Sequence, residues 1–533
     1  MSTLKNNRRK QELLVLLSML GIYLLVGQAE ILDKHAYSNH TWRQSDAYSF
    51  TLNYFHEDLP LLKPAMHYQG SEEGKAVGEF PIVYFMAAKL WQIPGNPSPF
   101  ISRLLVLVLC SIGLFYLFRL AGRLGISWPM NYFIWLIIAT SPVFIFYSST
   151  FLSNAVALSF AFLSLNAWFS LRDEYKPYKL VALLFFITMT GLLRPSMLIG
   201  VVGVYFIALF EAFDRKSLKF SKRGMVQLSL LGIPVLINLA WIFYVKQYNK
   251  EHGDGYFLTR LKPIWSSKNL KQEFVESIGV AVDGMFNVFV LIAIAICLIF
   301  SLYHFRKLSK SLRVLFISGL TLSVIYYLFW YQHFRMHDYY YLDFLPFAFI
   351  CLACAMSVYQ QLKLSFTLRK ILAAFAILLC CYSLYHLVIQ HRIKYNYSEQ
   401  LASQRMVISK HDANKWKAFH YQWGKRIEGI ELINKALDSL DFTRNQLLMA
   451  YPDPSPNILL SRLDMKGFTN LYNLHPNLEE RVKFMQGKGA FHMVQVGALG
   501  HDEKKLIPYI HDTLFHQDEF AIYSLDTLVR KKY

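Results

Sequence analysis

The sequence predicts a polytopic α-helical membrane protein of about eleven transmembrane helices, with a small α/β domain at its C-terminal end. Three observations carry this expectation. The 533 residues are 54% hydrophobic and 16% aromatic but only 17% charged, whereas soluble domains hold about a quarter charged residues. The charges are clumped, and the apolar runs between them approach the roughly 20 residues that a helix needs to cross a bilayer. Past residue 390 this pattern gives way to short strand-like runs between polar turns.

Taken in order, the apolar segments fall near 13–29, 101–118, 128–147, 151–171, 180–193, 195–213, 225–245, 284–303, 314–331, 339–358 and 371–389. The first follows the basic stretch MSTLKNNRRK. A cleaved signal peptide would fit that start, but Gln28, Ala29, Glu30 and Ile31 make a poor cleavage site, so an uncleaved first helix is expected. The fifth and sixth segments are short, with Arg194-Pro195 between them, and can form one broken hairpin. All six cysteines, Cys110, Cys297, Cys351, Cys354, Cys380 and Cys381, lie in apolar segments, so no disulfide framework is expected. Cys351 and Cys354 form a CxxC inside an apolar helix, where two small packed residues are a better account than zinc or redox chemistry.

The net charge of +19 would suggest nucleic acid in a soluble protein. Here the basic residues sit mostly in short loops, the pattern of the positive-inside rule. Membrane lipids, not nucleic acid, are the expected partner. With the N-terminus inside, the segments 1–12, 119–127, 172–179, 214–224, 304–313 and 359–370 hold 21 Lys and Arg. The loop 30–100, longer than all six together, falls outside and holds five. Eleven spans then put 390–533 outside too. Three substantial pieces, 30–100, 246–283 and 390–533, thus face outward, and no nucleotide-binding motif appears on the inside. An activated donor for chemistry on the outer face has to arrive through the membrane, as a lipid.

In 390–533, Gln446 to Tyr451, Met493 to Val496 and Phe520 to Tyr523 read as strands, 425–440 has helical spacing, and Asp453-Pro454-Ser455-Pro456 is a turn.

The polar residues that could carry chemistry cluster at the outer surface. His40-Thr41-Trp42-Arg43-Gln44-Ser45-Asp46-Ala47-Tyr48, continued by Phe50, Leu52, Tyr54 and Phe55, suits an amphipathic helix lying on the membrane, with Asp46 at its start. Glu79 precedes Pro81, which can begin a second surface helix. For both acids a helix-start residue favoured by the dipole is the plain alternative. Between two spans, Tyr331 to Tyr341 holds His333, Arg335, His337 and Tyr340, groups able to bind a lipid phosphate. An aromatic belt with snorkelling charges would look the same. Arg194 is a further phosphate candidate, or else an interfacial loop residue.

Together these pieces resemble the GT-C glycosyltransferases, in the branch of the protein O-mannosyltransferases and the lipid A aminoarabinose transferases. Asp46-Ala47-Tyr48 is similar to that branch's Asp-Glu-x-x-Tyr pattern, without its second acid, and Glu79-Phe80-Pro81-Ile82-Val83-Tyr84 is similar to its second surface segment. The stretch 333–346 is similar to a later external loop with Arg or His and Tyr before a Pro-containing span. The likeness covers 1–390, and 391–533 is consistent with the external domain that many members carry.

The resemblance implies a sugar transfer from a polyprenyl-phosphate donor to a glycan, lipid or protein acceptor on the extracytoplasmic face of a bacterial inner membrane. Asp46 would be the general base or would position the acceptor. Arg43, Arg194, Arg335, His337 and Tyr340 would bind donor phosphate or substrate, and Glu79 would support the site or join Asp46 around a metal. Without a D-x-D motif no cofactor is expected; a divalent metal is the less favoured option. A transporter or flippase of a lipid-linked glycan is the alternative, against which stand the lack of an internal repeat and the placing of polar residues away from the midplane. A non-catalytic assembly or sensor protein would leave the loop 30–100 unexplained.

Overall fold

The computed structural model describes residues 2–214, 219–220, 222–254, 256–257, 261–471, 477–500 and 503–525. The chain is mostly helical. In order come α1 (Ser2–Val26), α2 (Thr41–Glu57), α3 (Ile82–Trp91), α4 (Pro99–Arg123), α5 (Met130–Ala139), α6 (Pro142–Tyr147), α7 (Asn154–Asp173), α8 (Pro177–Leu193) and α9 (Val202–Ala212). A two-strand hairpin follows, β1 (Phe213–Asp214) with β2 (Lys219–Phe220), then α10 (Lys222–Glu251), α11 (Leu270–Val280), α12 (Val288–Tyr303), α13 (Lys310–Trp330), α14 (Leu345–Tyr359) and α15 (Phe366–Tyr395). The C-terminal part holds α16 (Glu399–Ala402), α17 (Lys410–Ser439), β3 (Leu448–Tyr451), α18 (Ile458–Leu463), β4 (Gly467–Phe468), α19 (Leu478–Gly487), β5 (His492–Val496), β6 (Ile510–Gln517) and β7 (Phe520–Leu525).

The chain packs as two compact units. Unit 1 takes 1–32, 103–244 and 259–392; unit 2 takes 33–102, 245–258 and 393–533.

Unit 1 carries the helices suited to a bilayer. Among the described residues six are long and apolar enough to cross, Pro99–Arg123, Asn154–Asp173, Gly224–Glu251, Lys310–His333, Asp338–Tyr359 and Phe366–Tyr395; the bent pair Leu270–Met285 and Val288–Tyr303 makes up to seven. The count of about eleven is not reached by this measure: the segments expected at 128–147, 180–193 and 195–213 give only the shorter apolar helices Met130–Ala139, Pro177–Leu193 and Val202–Ala212. Thr140-Ser141 and Pro142 divide 128–147 into α5 and α6. At Arg194 the backbone turns extended, and Pro195–Gly200 forms a 3-10 turn before α9, so 180–213 is two short apolar helices. Asn154–Asp173 and Asp338–Tyr359 lie largely inside unit 1, whereas Phe366–Tyr395 presents Ile371, Phe375 and Leu378 outward. A helix that is apolar on its open face suits a hydrocarbon surround.

Unit 2 is built on a five-stranded sheet of order β4-β3-β5-β7-β6. β3 runs parallel to β4 and β5, and β7 runs antiparallel to β5 and β6. The expected strands near 446–451, 493–496 and 520–523 are therefore present, as β3, β5 and β7, and the helical spacing at 425–440 lies within α17. β3 is buried at every residue, as expected of a strand covered on both faces. On one face Met449, Tyr451 and Met493 pack with Val482 and Met485 of α19. On the other α17 comes so close at Gly429 that a Cβ there would sit 1.9 Å from the Phe520 ring.

The loop 30–100 belongs to this same unit. The amide of Gln69 donates to the Gly467 carbonyl (2.8 Å) and that of Gly467 to the His67 carbonyl (3.0 Å), which joins the loop to the edge of the sheet. α2 packs against α3 and α18. It is buried nearly all round from Gln44 to Tyr54, so the expected surface helix with one open face is instead an internal element. It also begins at Thr41, whose hydroxyl donates to the Ser38 carbonyl (2.6 Å), and not at Asp46.

Candidate active site

With α2 starting at Thr41, Asp46 stands in the second turn, out of reach of the unpaired amides that favour an acid at a helix start. Its carboxylate is 1% exposed. It is held instead by side chains from three separate parts of the sequence. Oδ1 accepts from Asn457 Nδ2 at 2.9 Å, and Oδ2 accepts from the Tyr256 hydroxyl at 2.8 Å and from Arg43 at 3.4 Å. Burial drives its pKa up to about 6; Arg43, Asn457 and Tyr256 pull it back, and Glu79 adds to the rise. A carboxyl group poised there can hold or release a proton near neutral pH.

Arg43, one turn before Asp46, also donates to Glu79, at 3.1 Å to Oε2 and 3.5 Å to Oε1. The Tyr84 hydroxyl on α3 donates to the same Glu79 carboxylate. Arg43 lies over the Phe257 ring (5.2 Å) and the neighbouring Trp42 stacks on Tyr256. Arg43, Asp46 and Glu79 are thus brought together, as the sequence implied. Glu79 reaches Asp46 through the guanidinium between them. The groups nearest Asp46 are an arginine, an amide nitrogen and a phenol, all donating hydrogen bonds to its carboxylate, so a divalent ion at that carboxylate would have to displace Arg43. Among the described residues no group of three His, Cys, Asp or Glu could hold a metal.

Asn457 has its own support. Its Oδ1 accepts from the backbone N–H of Tyr68 (3.1 Å) and from the Ser49 hydroxyl (3.3 Å). A backbone N–H can only donate, so these contacts assign oxygen and nitrogen in the amide and aim Nδ2 at Asp46. Asn457 closes the turn Asp453-Pro454-Ser455-Pro456. That turn is pinned by Asp453, which accepts from the Ser455 and Leu459 amides at 3.0 and 2.7 Å.

The remaining predicted residues lie in unit 1. Arg194 donates from Nε and Nη2 to the two oxygens of Asp343, at 2.7 and 2.9 Å. Ser196 (2.8 Å) and Tyr326 donate to the same carboxylate. The Arg194 guanidinium also faces the rings of Tyr339 and Tyr340, 5.4 and 5.0 Å away. A phosphate approaching Arg194 would have to compete with a bidentate pair. His337 packs beside Tyr340 (5.8 Å) and His333 (6.1 Å). Arg335 points elsewhere, at Glu273 and Glu276, 3.8 and 3.6 Å away. Arg194, His337 and Tyr340 therefore form one polar group, and Arg335 stands apart from it.

Four residues of these clusters were not singled out from the sequence. Asn457 sits in a turn recognised only as a turn. Tyr256 lies in the loop 246–283, which showed no motif. Asp343 and Tyr326 flank the aromatic stretch 331–341, where attention fell on cations. An acid close to several expected phosphate-binding cations was the one available signal, and it points to Asp343.

Residues 79–250, about a third of the chain, match the model of the Alg9-like mannosyltransferase family. That family is one of the GT-C glycosyltransferases. The GT-C resemblance is borne out. A multi-pass membrane glycosyltransferase is supported at that level, without a donor, a sugar or an acceptor. No curated protein matches the sequence. Among solved structures, the oligosaccharyltransferase of Archaeoglobus fulgidus, in complex with Zn and sulfate, is 12% identical; the match covers 89% of this chain and 67% of that one, with a TM-score of 0.47. Two structures of the arabinofuranosyltransferase AftD from Mycobacteria are each 10% identical, with 96% of this chain covered and TM-scores of 0.49 and 0.48. The chain spans 41% and 40% of the length of these two.

Proposed function

We propose that this membrane glycosyltransferase moves a sugar from a polyprenyl-phosphate donor to an acceptor on the extracytoplasmic face of a bacterial inner membrane. In this reading its N-terminus is cytoplasmic and unit 2 lies outside. The observation that carries the chemical assignment is the buried Asp46 carboxylate with a pKa near 6, aimed by Asn457, Tyr256 and Arg43.

The acceptor hydroxyl attacks the anomeric carbon, the bond from that carbon to the phosphate oxygen breaks, and the polyprenyl phosphate leaves with the bonding pair. The hydroxyl proton passes to Asp46. Of the three contacts on Asp46 the one to Arg43 is longest, at 3.4 Å, and the Arg43 side chain is 28% exposed. The acceptor hydroxyl replaces that contact, and Arg43 turns to Glu79 or to the departing phosphate. Stabilising the leaving phosphate needs fixed cations or donors, a role open to Arg43 once it has left Asp46.

The test is Asp46→Asn, assayed in membranes with a polyprenyl-phosphate sugar. Transfer is expected to fall by at least about a hundredfold, the scale of a general base, with normal expression and insertion. Transfer at the wild-type rate would refute the role of Asp46.

A further inference from the structure

Unit 2 holds a second feature that Asp46 and its partners do not use. A groove of about 1020 Å³ opens between 33–37, the segment 395–397 and one side of α17. That is the upper end of the size of small-molecule sites. Its walls are rings: Tyr37, Tyr395, Tyr397 and Tyr421 line it, and Tyr421 is 66% exposed. Its rim carries the amides of Asn396 and Asn414, and the charges Lys34, Lys417 and Arg462 beside Asp33 and Glu431.

The floor is fixed. Tyr37 stacks on Tyr395 and Trp423, and its hydroxyl meets His420 Nδ1 at 2.5 Å. His420 Nε2 lies 2.9 Å from the Ile393 carbonyl. A carbonyl can only accept, so Nε2 carries the proton and Nδ1 accepts from Tyr37. Burial pushes the His420 pKa down and keeps this pair neutral.

Flat aromatic walls and amides at the rim suit a ligand with apolar faces and many hydroxyls, and two of the three cations are engaged elsewhere, Lys417 with Glu399 at 2.7 Å and Arg462 with the Ala36 carbonyl at 2.8 Å. They do not suit a phosphate, which would call for several cations free to converge on it. Two elements tie the groove to Asp46. Gln44 on α2, two residues before Asp46, donates to the Tyr37 carbonyl (2.8 Å). Arg462 on α18, which also lines the groove, donates to the Ala36 carbonyl (2.8 Å), while Asn457 just before α18 holds Asp46.

We propose that the groove binds a neutral oligosaccharide, the stretch of an acceptor glycan remote from the hydroxyl that reacts. The role as acceptor subsite rests on the transferase reading above; the binding itself does not.

The experiment uses the full chain in detergent, with mannohexaose, maltohexaose, cellohexaose and an arabinofuranosyl hexasaccharide as probes, followed by saturation-transfer NMR and tryptophan fluorescence. At least one probe is expected to bind wild type and Asp46→Asn alike. Tyr421→Ala with Asn414→Ala should weaken it at least tenfold, and Tyr421→Trp should restore it. In transfer assays the same pair should raise KM for a long acceptor, leaving kcat and a one-sugar acceptor unchanged. Binding by none of the four, binding indifferent to Tyr421 and Asn414, or displacement of the bound sugar by anionic phosphatidylglycerol vesicles would overturn the proposal. An active Asp46→Asn enzyme with intact sugar binding would refute the transferase assignment of Asp46 and leave the groove standing.

Discussion

Replacing Asn457 by alanine tests whether unit 2's C-terminal segment tunes the acid on α2. Asn457 donates to Asp46 Oδ1 at 2.9 Å with both groups buried. A hydrogen bond to a charged group contributes about 1.5–3 kcal/mol, and one pKa unit corresponds to about 1.4 kcal/mol. The bond favours the ionised form, so its loss should raise the Asp46 pKa from about 6 by about 1–2 units, to roughly 7–8. A general base works only when ionised. The acid limb of kcat/KM, near pH 6 in the wild type, should therefore move to roughly pH 7–8. Transfer near pH 6 should drop about tenfold or more, while transfer at pH 9 stays close to wild type. The assay is the pH profile of transfer in membranes, alongside thermal unfolding. Unfolding should register a separate loss of about 1–3 kcal/mol, because the Tyr68 amide and the Ser49 hydroxyl also lose their acceptor. An equal loss of activity at every pH, or an acid limb that stays put, would refute the electrostatic coupling.

Three further outcomes follow from the same geometry. In Glu79→Gln a negative neighbour that raises the Asp46 pKa is gone, so the acid limb should move to lower pH, read from the same profile; movement to higher pH contradicts the assignment. Asp46→Asn should stabilise the protein above pH 6. The folded pKa of about 6 lies above the ordinary 3.8, so the penalty for ionising Asp46 is absent below about pH 4, grows between the two values and is full above 6, at about 3 kcal/mol; a melting gain that persists at pH 3.5 would count against this origin. Arg194→Ala leaves Asp343, which is 1% exposed, without its bidentate partner. Breaking such a pair costs about 3–5 kcal/mol, so unfolding in detergent should show a large loss and Arg194→Ala with Asp343→Ala a smaller one; an unchanged melting point for the single variant would show that the pair is not structural.

Much of the local structure was legible because it depends on short-range pattern. The apolar runs became helices, and the alternating runs near 448, 493 and 520 became strands, since hydrophobic periodicity acts over a few residues. The break at Arg194-Pro195 followed from proline's missing donor, whereas the one at Pro142, inside the expected span 128–147, was not anticipated. Span number was harder to read, because a run of apolar residues does not reveal where a helix stops short of crossing. The nature of α2 was also hidden. Its aromatic and small residues on every side look like one open face in a list, and they become buried only when α3 and α18 cover them.

The sequence by itself determined that this is a chain of long apolar helices with its polar residues concentrated in a few places, that it resembles GT-C glycosyltransferases, and that Asp46, Glu79 and Arg43 merit attention. Composition and motif spacing are properties of the chain, and they survive without coordinates. Only the tertiary structure decided what kind of group Asp46 is. Its pKa is set by burial, by an asparagine 411 positions away along the chain and by a tyrosine 210 positions away, and no local rule can foresee such neighbours. The same holds for Arg194. As a letter it is a free cation at an interface; in the fold it is one half of a buried pair, because Asp343 comes within hydrogen-bonding distance only once the helices have packed.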